Sequence, residues 1–158
     1  MKNNDIIHQW SIVCQKSSVD QGSNLLSLFN NVEEITASDL MVNGMKLDLK
    51  DLTEKKPIVI AGDMEHVTLW RRGLSSNKES IIERDMMVEW VSPAGAVLIK
   101  SEASFKIEAG KQNTRVIFKI DKIAITTTGT YLIRLFIKEP KDKVYKGVTE
   151  TPIDMKII

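Results

Sequence analysis

Apolar and polar residues alternate along most of this chain, and the alternation restarts after each turn signal. Successive side chains of a β-strand point to opposite faces, so a period of two predicts strands that bury one face each. Two of the turn signals are Ser92-Pro93-Ala94-Gly95 and the charged stretch Glu139-Pro140-Lys141-Asp142-Lys143, because proline and glycine favour tight turns. The pattern predicts an all-β fold of about eight or nine strands, with a hairpin at both turns.

Three places in the alternation predict a change in the course of the chain. The strand predicted from Leu25 to Ile35 slips in phase at Asn30-Asn31, and asparagine tolerates the left-handed backbone that a bulge needs. Gly62 interrupts the strand predicted from Pro57 to Arg71. The stretch from Ala109 to Asn113 separates two further strands, and we expect a hairpin there.

Residues Thr36 to Lys56 form an apolar insertion without clear strand alternation. The stretch is too apolar for a disordered linker, since it contains Leu40, Met41 and Met45 among others. A structureless loop of this length is uncommon in a compact domain. Two interpretations stay open: a lid over one end or edge of the fold, or an element that binds a partner through adaptable methionine side chains.

Charge and cysteine content limit the partners and the compartment. The 22 Lys and Arg residues balance 21 Asp and Glu residues, so the net charge of +1 gives no field to attract nucleic acid or an anionic membrane. The single Cys14 cannot form an internal disulfide, and no Cys and His set has zinc-site spacing. Polar residues interrupt any signal-peptide core at the N-terminus. We therefore expect one cytoplasmic domain over residues 1–158, with no cofactor, no bound nucleic acid and no membrane contact.

The clearest local motif is Phe118-x-Ile120-x-x-Ile123-x-x-x-Thr127-x-Gly129-x-Tyr131. It resembles the corner between strands E and F of immunoglobulin-like sandwiches, which contains a tyrosine corner. The resemblance implies an inward-facing pair before the turn and a Tyr131 hydroxyl that bonds to upstream backbone. The motif departs from the antibody type, because Thr127 stands where Asp is usual and Ile133 stands where antibody domains have Cys. We expect an immunoglobulin-like or related Greek-key β-sandwich.

A longer pattern is similar to a family of uncharacterised bacterial β-sandwich proteins. A first strand with a cysteine is followed by Asn24-Leu25-Leu26-Ser27-Leu28-Phe29-Asn30-Asn31-Val32, by Glu89-Trp90-Val91-Ser92-Pro93-Ala94-Gly95 and by a late strand that begins at Gly129. The resemblance implies the fold and a bacterial or phage origin. It implies no activity, catalytic residue or cofactor.

No combination of residues in the sequence predicts catalysis. His8 and His66 stand apart from any Gly-x-Ser-x-Gly nucleophile motif. Cys14 alternates in phase with Trp10 and Ile12, so we interpret it as a small buried residue that reacts slowly with alkylating reagents. Asp63 and Glu65 share one face of an extended strand and are the nearest approach to a metal site, although two carboxylates on a solvated face are an ordinary strand feature.

Trp70-Arg71-Arg72 is the leading candidate for a recognition surface. Tryptophan and arginine are enriched where proteins bind one another, and this group stands at the end of a predicted strand. A simpler interpretation is that Glu79, Glu83 and Asp85 of the next strand pair with the two arginines.

The sequence as a whole favours a non-enzymatic module that binds a protein partner, or a second copy of the chain, through its loops or an edge strand. The candidate binding residues are Trp70, Arg71, Arg72, Leu40, Met41 and Met45. The alternative is a sandwich that binds a small ligand or calcium, with Asp63 and Glu65 as the calcium ligands.

Overall fold

The computed structural model describes residues 5–37, 41–42, 45–46 and 52–157, and these residues form a β-sandwich. Nine strands form two packed sheets, and two strands of two residues each pair with one another. The strands are β1 (Ile6–Val19), β2 (Leu26–Asn31), β3 (Glu34–Ala37), β4 (Met41–Val42), β5 (Met45–Lys46), β6 (Ile58–Arg72), β7 (Ile82–Val91), β8 (Val97–Ile107), β9 (Asn113–Ile125), β10 (Gly129–Lys138) and β11 (Lys146–Ile157).

The order of the strands confirms the predicted fold class. The first sheet has the order β2-β1-β6-β9, and the second sheet has the order β3-β11-β10-β7-β8. β3 runs parallel to β11, whereas the other described neighbours are antiparallel. β1, β6 and β9 have the order of strands A, B and E of immunoglobulin-like sandwiches, and β11, β10, β7 and β8 have the order of G, F, C and C′. The chain therefore follows a Greek-key path.

The interruptions predicted at Asn30-Asn31 and at Gly62 are present, and each changes the course of its strand. Asn30 has a φ of 54° near the end of β2, after which the chain leaves the first sheet and joins the second sheet as β3. The register of β6 against β9 shifts between Ala61 and Met64. A Cβ on Gly62 would lie 2.3 Å from the carbonyl oxygen of Ile120, so only glycine fits at this bulge.

The connections between strands confirm two predicted hairpins and correct a third. The turn at residues 92–95 joins β7 to its neighbour β8, and the turn at residues 139–145 joins β10 to its neighbour β11. The hairpin predicted from Ala109 to Asn113 is wrong, because β8 pairs with β7 whereas β9 pairs with β6 in the other sheet. Residues 108–112 therefore form an arch between the sheets. Alternation predicts two half-buried strands whether a hairpin or an arch connects them, so it does not distinguish the two connections.

A stacked aromatic pair lies in the core between the two sheets. Trp90 on β7 stacks on Tyr131 with ring centroids 5.1 Å apart, and Trp90 Nε1 donates to the Ala124 carbonyl of the opposite sheet at 2.7 Å. The Tyr131 hydroxyl donates to the Thr127 carbonyl at 2.8 Å and accepts from the Thr126 and Thr127 amides at 2.9 and 3.0 Å. The predicted tyrosine corner is confirmed.

The insertion at residues 36–56 is described in part. β4 and β5 pair with one another, Thr53 forms an isolated bridge with Lys56, and Leu52 packs against the core. Leu40 lies outside the described residues, and only the backbone of Met41 and Met45 is described. The choice between a lid and a partner-binding element stays a prediction.

Candidate functional site

One side of the sandwich is open between β8 and β9. Among the described strands, β8 ends the second sheet and pairs with β7 alone, and β9 ends the first sheet and pairs with β6 alone. In immunoglobulin constant-type sandwiches a strand D lies beside strand E, and no strand of the described residues takes that place beside β9. Two strand edges therefore border the same side of the molecule, and their outer backbone groups have no strand partner in the part of the chain that the structure describes.

An apolar cavity of about 260 Å³ opens between these two edges. Both strands and both sheets contribute to it, with Ile99 and Ser101 from β8 and residues 118–122 from β9. Its apolar lining is Val88, Trp90, Ile99, Phe118, Ile120 and Ile133, and its rim is Glu89, Ser101, Lys119, Asp121 and Lys122. Such a place can accept apolar side chains from a segment whose backbone pairs with an edge strand.

Arg72 fastens the arch that joins β8 to β9. It lies at the end of β6 with 1% of its surface exposed. Its guanidinium donates to the carbonyl oxygens of Asn77, Glu108 and Lys111 at 2.8, 3.0 and 3.0 Å. Backbone carbonyls, and not the expected carboxylates of the next strand, satisfy this buried cation. Arg72 thus fixes the end at which the two open edges are joined.

The predicted surface patch Trp70-Arg71-Arg72 is wrong for two of its three residues. Trp70 is 1% exposed, and its ring lies 5.0 Å from the Phe105 ring of the opposite sheet. Its Nε1 donates to Thr68 Oγ1 at 2.8 Å. Arg71, between the two buried residues, is exposed. Neighbouring residues of a strand point to opposite faces, so three in a row do not share one surface.

Asp63 and Glu65 line a shallow depression, as their predicted common face requires, but Glu65 already has partners. Its Oε2 accepts from the Ser17 amide at 2.8 Å and also from the Ser17 hydroxyl. The other residues that line the depression are Gln15, Lys16, Met64, Lys119 and Asp121. In the part of the chain that the structure describes, no three His, Cys, Asp or Glu side chains form a group that could hold a metal ion. The geometry gives the calcium alternative no support.

His8 contacts Ser11 and Trp70, which the sequence did not indicate. His8 Nε2 lies 2.7 Å from Ser11 Oγ, and the His8 ring meets the Trp70 ring edge-on at 5.1 Å. A nucleophilic triad needs a third group that orients the histidine. Within residues 5–37 and 52–157, no carboxylate pairs with His8. The contact therefore fits a local polar interaction of β1 better than a catalytic pair.

His66 is fully buried, and neither of its ring nitrogens has a hydrogen-bond partner among the described residues. Burial, with a smaller effect of His8, lowers the pKa of His66 to about 4. His66 is therefore neutral at pH 7.

Cys14 is free and buried, as predicted. Burial and the neighbouring Glu65 carboxylate raise the pKa of its thiol. Because the thiolate is the reactive form, a raised pKa supports the predicted slow alkylation, which stays a prediction.

The open side was not predicted from the sequence, because Ile99 and Phe118 follow the alternation of ordinary core positions. The signal lies in the connection, since an arch in place of a hairpin leaves both β8 and β9 at sheet edges. In comparisons with known proteins, the chain matches no family model, no curated protein and no solved structure. No helix among the described residues has the length and hydropathy needed to cross a membrane.

Proposed function

We propose that this protein is a non-enzymatic interaction module that binds an extended segment of a partner protein between β8 and β9. One observation carries the proposal: an apolar cavity of about 260 Å³ lies between two unpaired sheet edges. In strand addition, backbone hydrogen bonds to an edge supply affinity, and pockets for alternate side chains supply specificity. The open side offers both features in one place.

The cavity indicates which side chains the segment carries. An apolar cavity of about 150 Å³ in a protein core is large enough to bind benzene. The larger cavity beside Ile99 and Phe118 therefore has room for one aromatic or two aliphatic side chains. The rim has mixed charge, because Lys119, Asp121 and Lys122 lie on β9 and Glu89 lies on β7. These features favour a segment of low net charge with apolar residues at alternate positions.

A small apolar ligand is the second candidate for the same cavity. The lining is mostly apolar with a few polar groups at the rim, which is typical of small-molecule sites. The two candidates differ in one measurable respect, because a small ligand leaves the edges of β8 and β9 unpaired.

The compartment and the origin that we propose rest on the sequence. The single buried Cys14 supports a reducing cytoplasm. The similarity to uncharacterised bacterial sandwiches supports a bacterial or phage origin. A homo-oligomer is included in the proposal, since the added segment then comes from a second copy of the chain.

The test compares two soluble peptides of identical composition. One alternates valine and threonine, the other groups its valines together, and both carry a lysine at each end. We expect the alternating peptide to bind more tightly in calorimetric titration and to slow hydrogen exchange of amides in β8 or β9, because new backbone bonds protect them. Toluene and indole test the second candidate, which predicts binding without protection of the edges.

Two tryptophan substitutions on β8 provide the matched control. Ile99→Trp fills the cavity, and we expect it to weaken binding of the alternating peptide by at least about tenfold, or about 1.4 kcal/mol. Val97 is exposed and does not line the cavity, so Val97→Trp is expected to bind as the unchanged protein does. Equal binding of the two peptides, or unchanged binding by a folded Ile99→Trp variant, contradicts strand addition.

A further inference from the structure

A second depression, of about 550 Å³, lies on the outer face of the first sheet. Its apolar lining residues are Trp10, Leu26 and Leu69. Trp10 pairs with Leu69 across β1 and β6, and Leu69 pairs with Arg115 across β6 and β9. Directly paired residues of a sheet share a face, so an indole, an aliphatic side chain and a guanidinium lie side by side.

Arg115 is held in place before any partner arrives. Its Nη2 donates to the Asn24 carbonyl at 2.7 Å, and its Nη1 donates to Asn24 Oδ1 at 3.1 Å. Asn24 itself has a φ of 56° and belongs to a turn in which Asp20 Oδ1 accepts from the Ser23 amide at 2.6 Å. A cation fixed by neutral acceptors keeps its charge and loses little conformational freedom when it binds an anion.

The wall of the depression has an excess of positive charge. Lys106 is neutralised by Glu108, whose carboxylate lies 2.8 Å from its Nζ. Neither Lys111 nor Arg115 takes part in an ion pair within the described residues. Within residues 5–37 and 52–157, two cations without an ion-pair partner therefore lie beside the apolar residues Trp10, Leu26 and Leu69.

We propose that this depression binds an acidic peptide segment that carries one large apolar side chain. The apolar side chain packs on Trp10 and Leu69, and carboxylates pair with Arg115 and Lys111, where an arginine fork suits a carboxylate. A long polyanion is a poorer fit, because the net charge of +1 provides no extended path of cations. The site does not depend on the function proposed above, since it shares no lining residue with the cavity between β8 and β9.

Tryptophan fluorescence provides a direct readout. Trp70 and Trp90 are 1% and 4% exposed, whereas Trp10 is half-buried, so quenching by neutral acrylamide reports mainly on Trp10. The probe is an acidic hexapeptide with one central leucine. We expect it to protect Trp10 from acrylamide, and we expect replacement of its leucine by serine to weaken binding about tenfold. A peptide with lysines in place of its acidic residues is expected to give no protection.

Matched variants test whether Lys111 and Arg115 are the cations that bind the acidic peptide. Lys111→Gln/Arg115→Gln is expected to weaken binding at least about tenfold, Arg115→Lys to keep most of it, and Lys143→Gln in the β10–β11 turn to keep all of it. A melting-temperature measurement identifies any variant that fails to fold, and Lys111→Gln alone, which is expected to weaken binding severalfold, then serves in place of the double variant. No protection of Trp10 at about 1 mM peptide overturns the proposal. Binding of phosphatidylglycerol vesicles or single-stranded DNA in place of the peptide overturns it as well.

Discussion

A tryptophan and an arginine share a face of the first sheet at two places in the described structure, and the surroundings of the two places are opposite. Trp70 and Arg72 lie inside the sandwich, where the indole bonds to Thr68 and the guanidinium bonds to backbone carbonyls. Trp10 and Arg115 lie on the outer face of the first sheet beside a depression. The same residue types therefore stabilise the fold at one place and are available for binding at the other.

The face of the first sheet on which a residue lies determines whether it packs in the core or borders the depression. Trp10 and Leu69 are directly paired and lie on the outer face, whereas Trp70, the next residue of β6, points into the core. Composition is thus a weaker guide to a binding surface than position relative to the two sheets. The predictions below test whether the inner pair is structural and the outer pair is not.

The largest expected difference comes from removing each indole. Trp70→Ala leaves a large cavity in the core and is expected to lower the free energy of unfolding by about 3–5 kcal/mol. Trp10→Ala removes a half-buried side chain and is expected to cost about 1 kcal/mol. Urea unfolding of the two variants measures both values. Equal losses would contradict the distinction between a structural Trp70 and a surface Trp10.

Removing each guanidinium is expected to give the next largest difference. Arg72→Met leaves the carbonyls of Asn77, Glu108 and Lys111 without their donor, and we expect a loss of about 3 kcal/mol in the free energy of unfolding. Arg115→Met removes exposed hydrogen bonds and is expected to change that free energy by about 0.5 kcal/mol or less.

Arg72→Lys sharpens the second prediction. A lysine keeps the charge but cannot reach three carbonyls with a planar fork, so it is expected to restore little of the loss. Full recovery by lysine would show that charge alone matters at this position. Hydrogen exchange of residues 108–112 follows the same change locally, because Arg72 holds the arch in place.

Local patterns of the sequence predicted the parts of the fold that depend on neighbouring residues. Ser92-Pro93-Ala94-Gly95 formed its hairpin, and Gly62 marked a bulge, because turn and bulge geometry depend on a few adjacent residues. The tyrosine corner was equally local, since Tyr131 bonds within five residues of itself. Each of these features has a short sequence signature with a physical cause.

Features that depend on sheet partners were not predictable in the same way. Alternation showed that Trp10 and Cys14 share a face of β1, but it did not show whether that face was inner or outer. The arch between β8 and β9 was taken for a hairpin for the same reason, and the open side and its cavity were missed with it. Knowledge of which strands pair is what the sequence lacks here.

The buried His66 on the inner face of β6 is expected to make the stability of the protein depend on pH. The pKa of His66 is about 4 in the folded protein and 6.5 for a free histidine, so between these values the unfolded chain binds more protons. The free energy of unfolding therefore falls as the pH drops from about 6.5 to about 4. At about 1.4 kcal/mol per pKa unit, we expect a loss of about 3 kcal/mol, measured by urea unfolding across this range.

His66→Leu is the control for the acid prediction. Leucine does not titrate, so this variant is expected to lose less stability between pH 6.5 and pH 4 than the unchanged protein. Parallel pH profiles for the two proteins would show that His66 is not buried as a neutral side chain. The exposed carboxyl of Asp20, whose pKa is lowered by its bonds to Ser23, titrates in both proteins and cancels in the difference.

Among the buried groups, the smallest expected loss concerns another polar side chain that bonds to the backbone. Tyr131→Phe removes the hydroxyl that bonds to Thr126 and Thr127, and it keeps the ring stacked on Trp90. We expect a loss of about 1 kcal/mol in urea unfolding, since the amides of Thr126 and Thr127 lose their acceptor, and Thr127 is exposed, so water can replace its bond. Arg72 and Tyr131 both bond to backbone, but Arg72 joins two separate connections and Tyr131 closes a single turn. A Tyr131→Phe loss as large as that of Arg72→Met would contradict this distinction and would identify the corner as the stronger constraint on the sandwich.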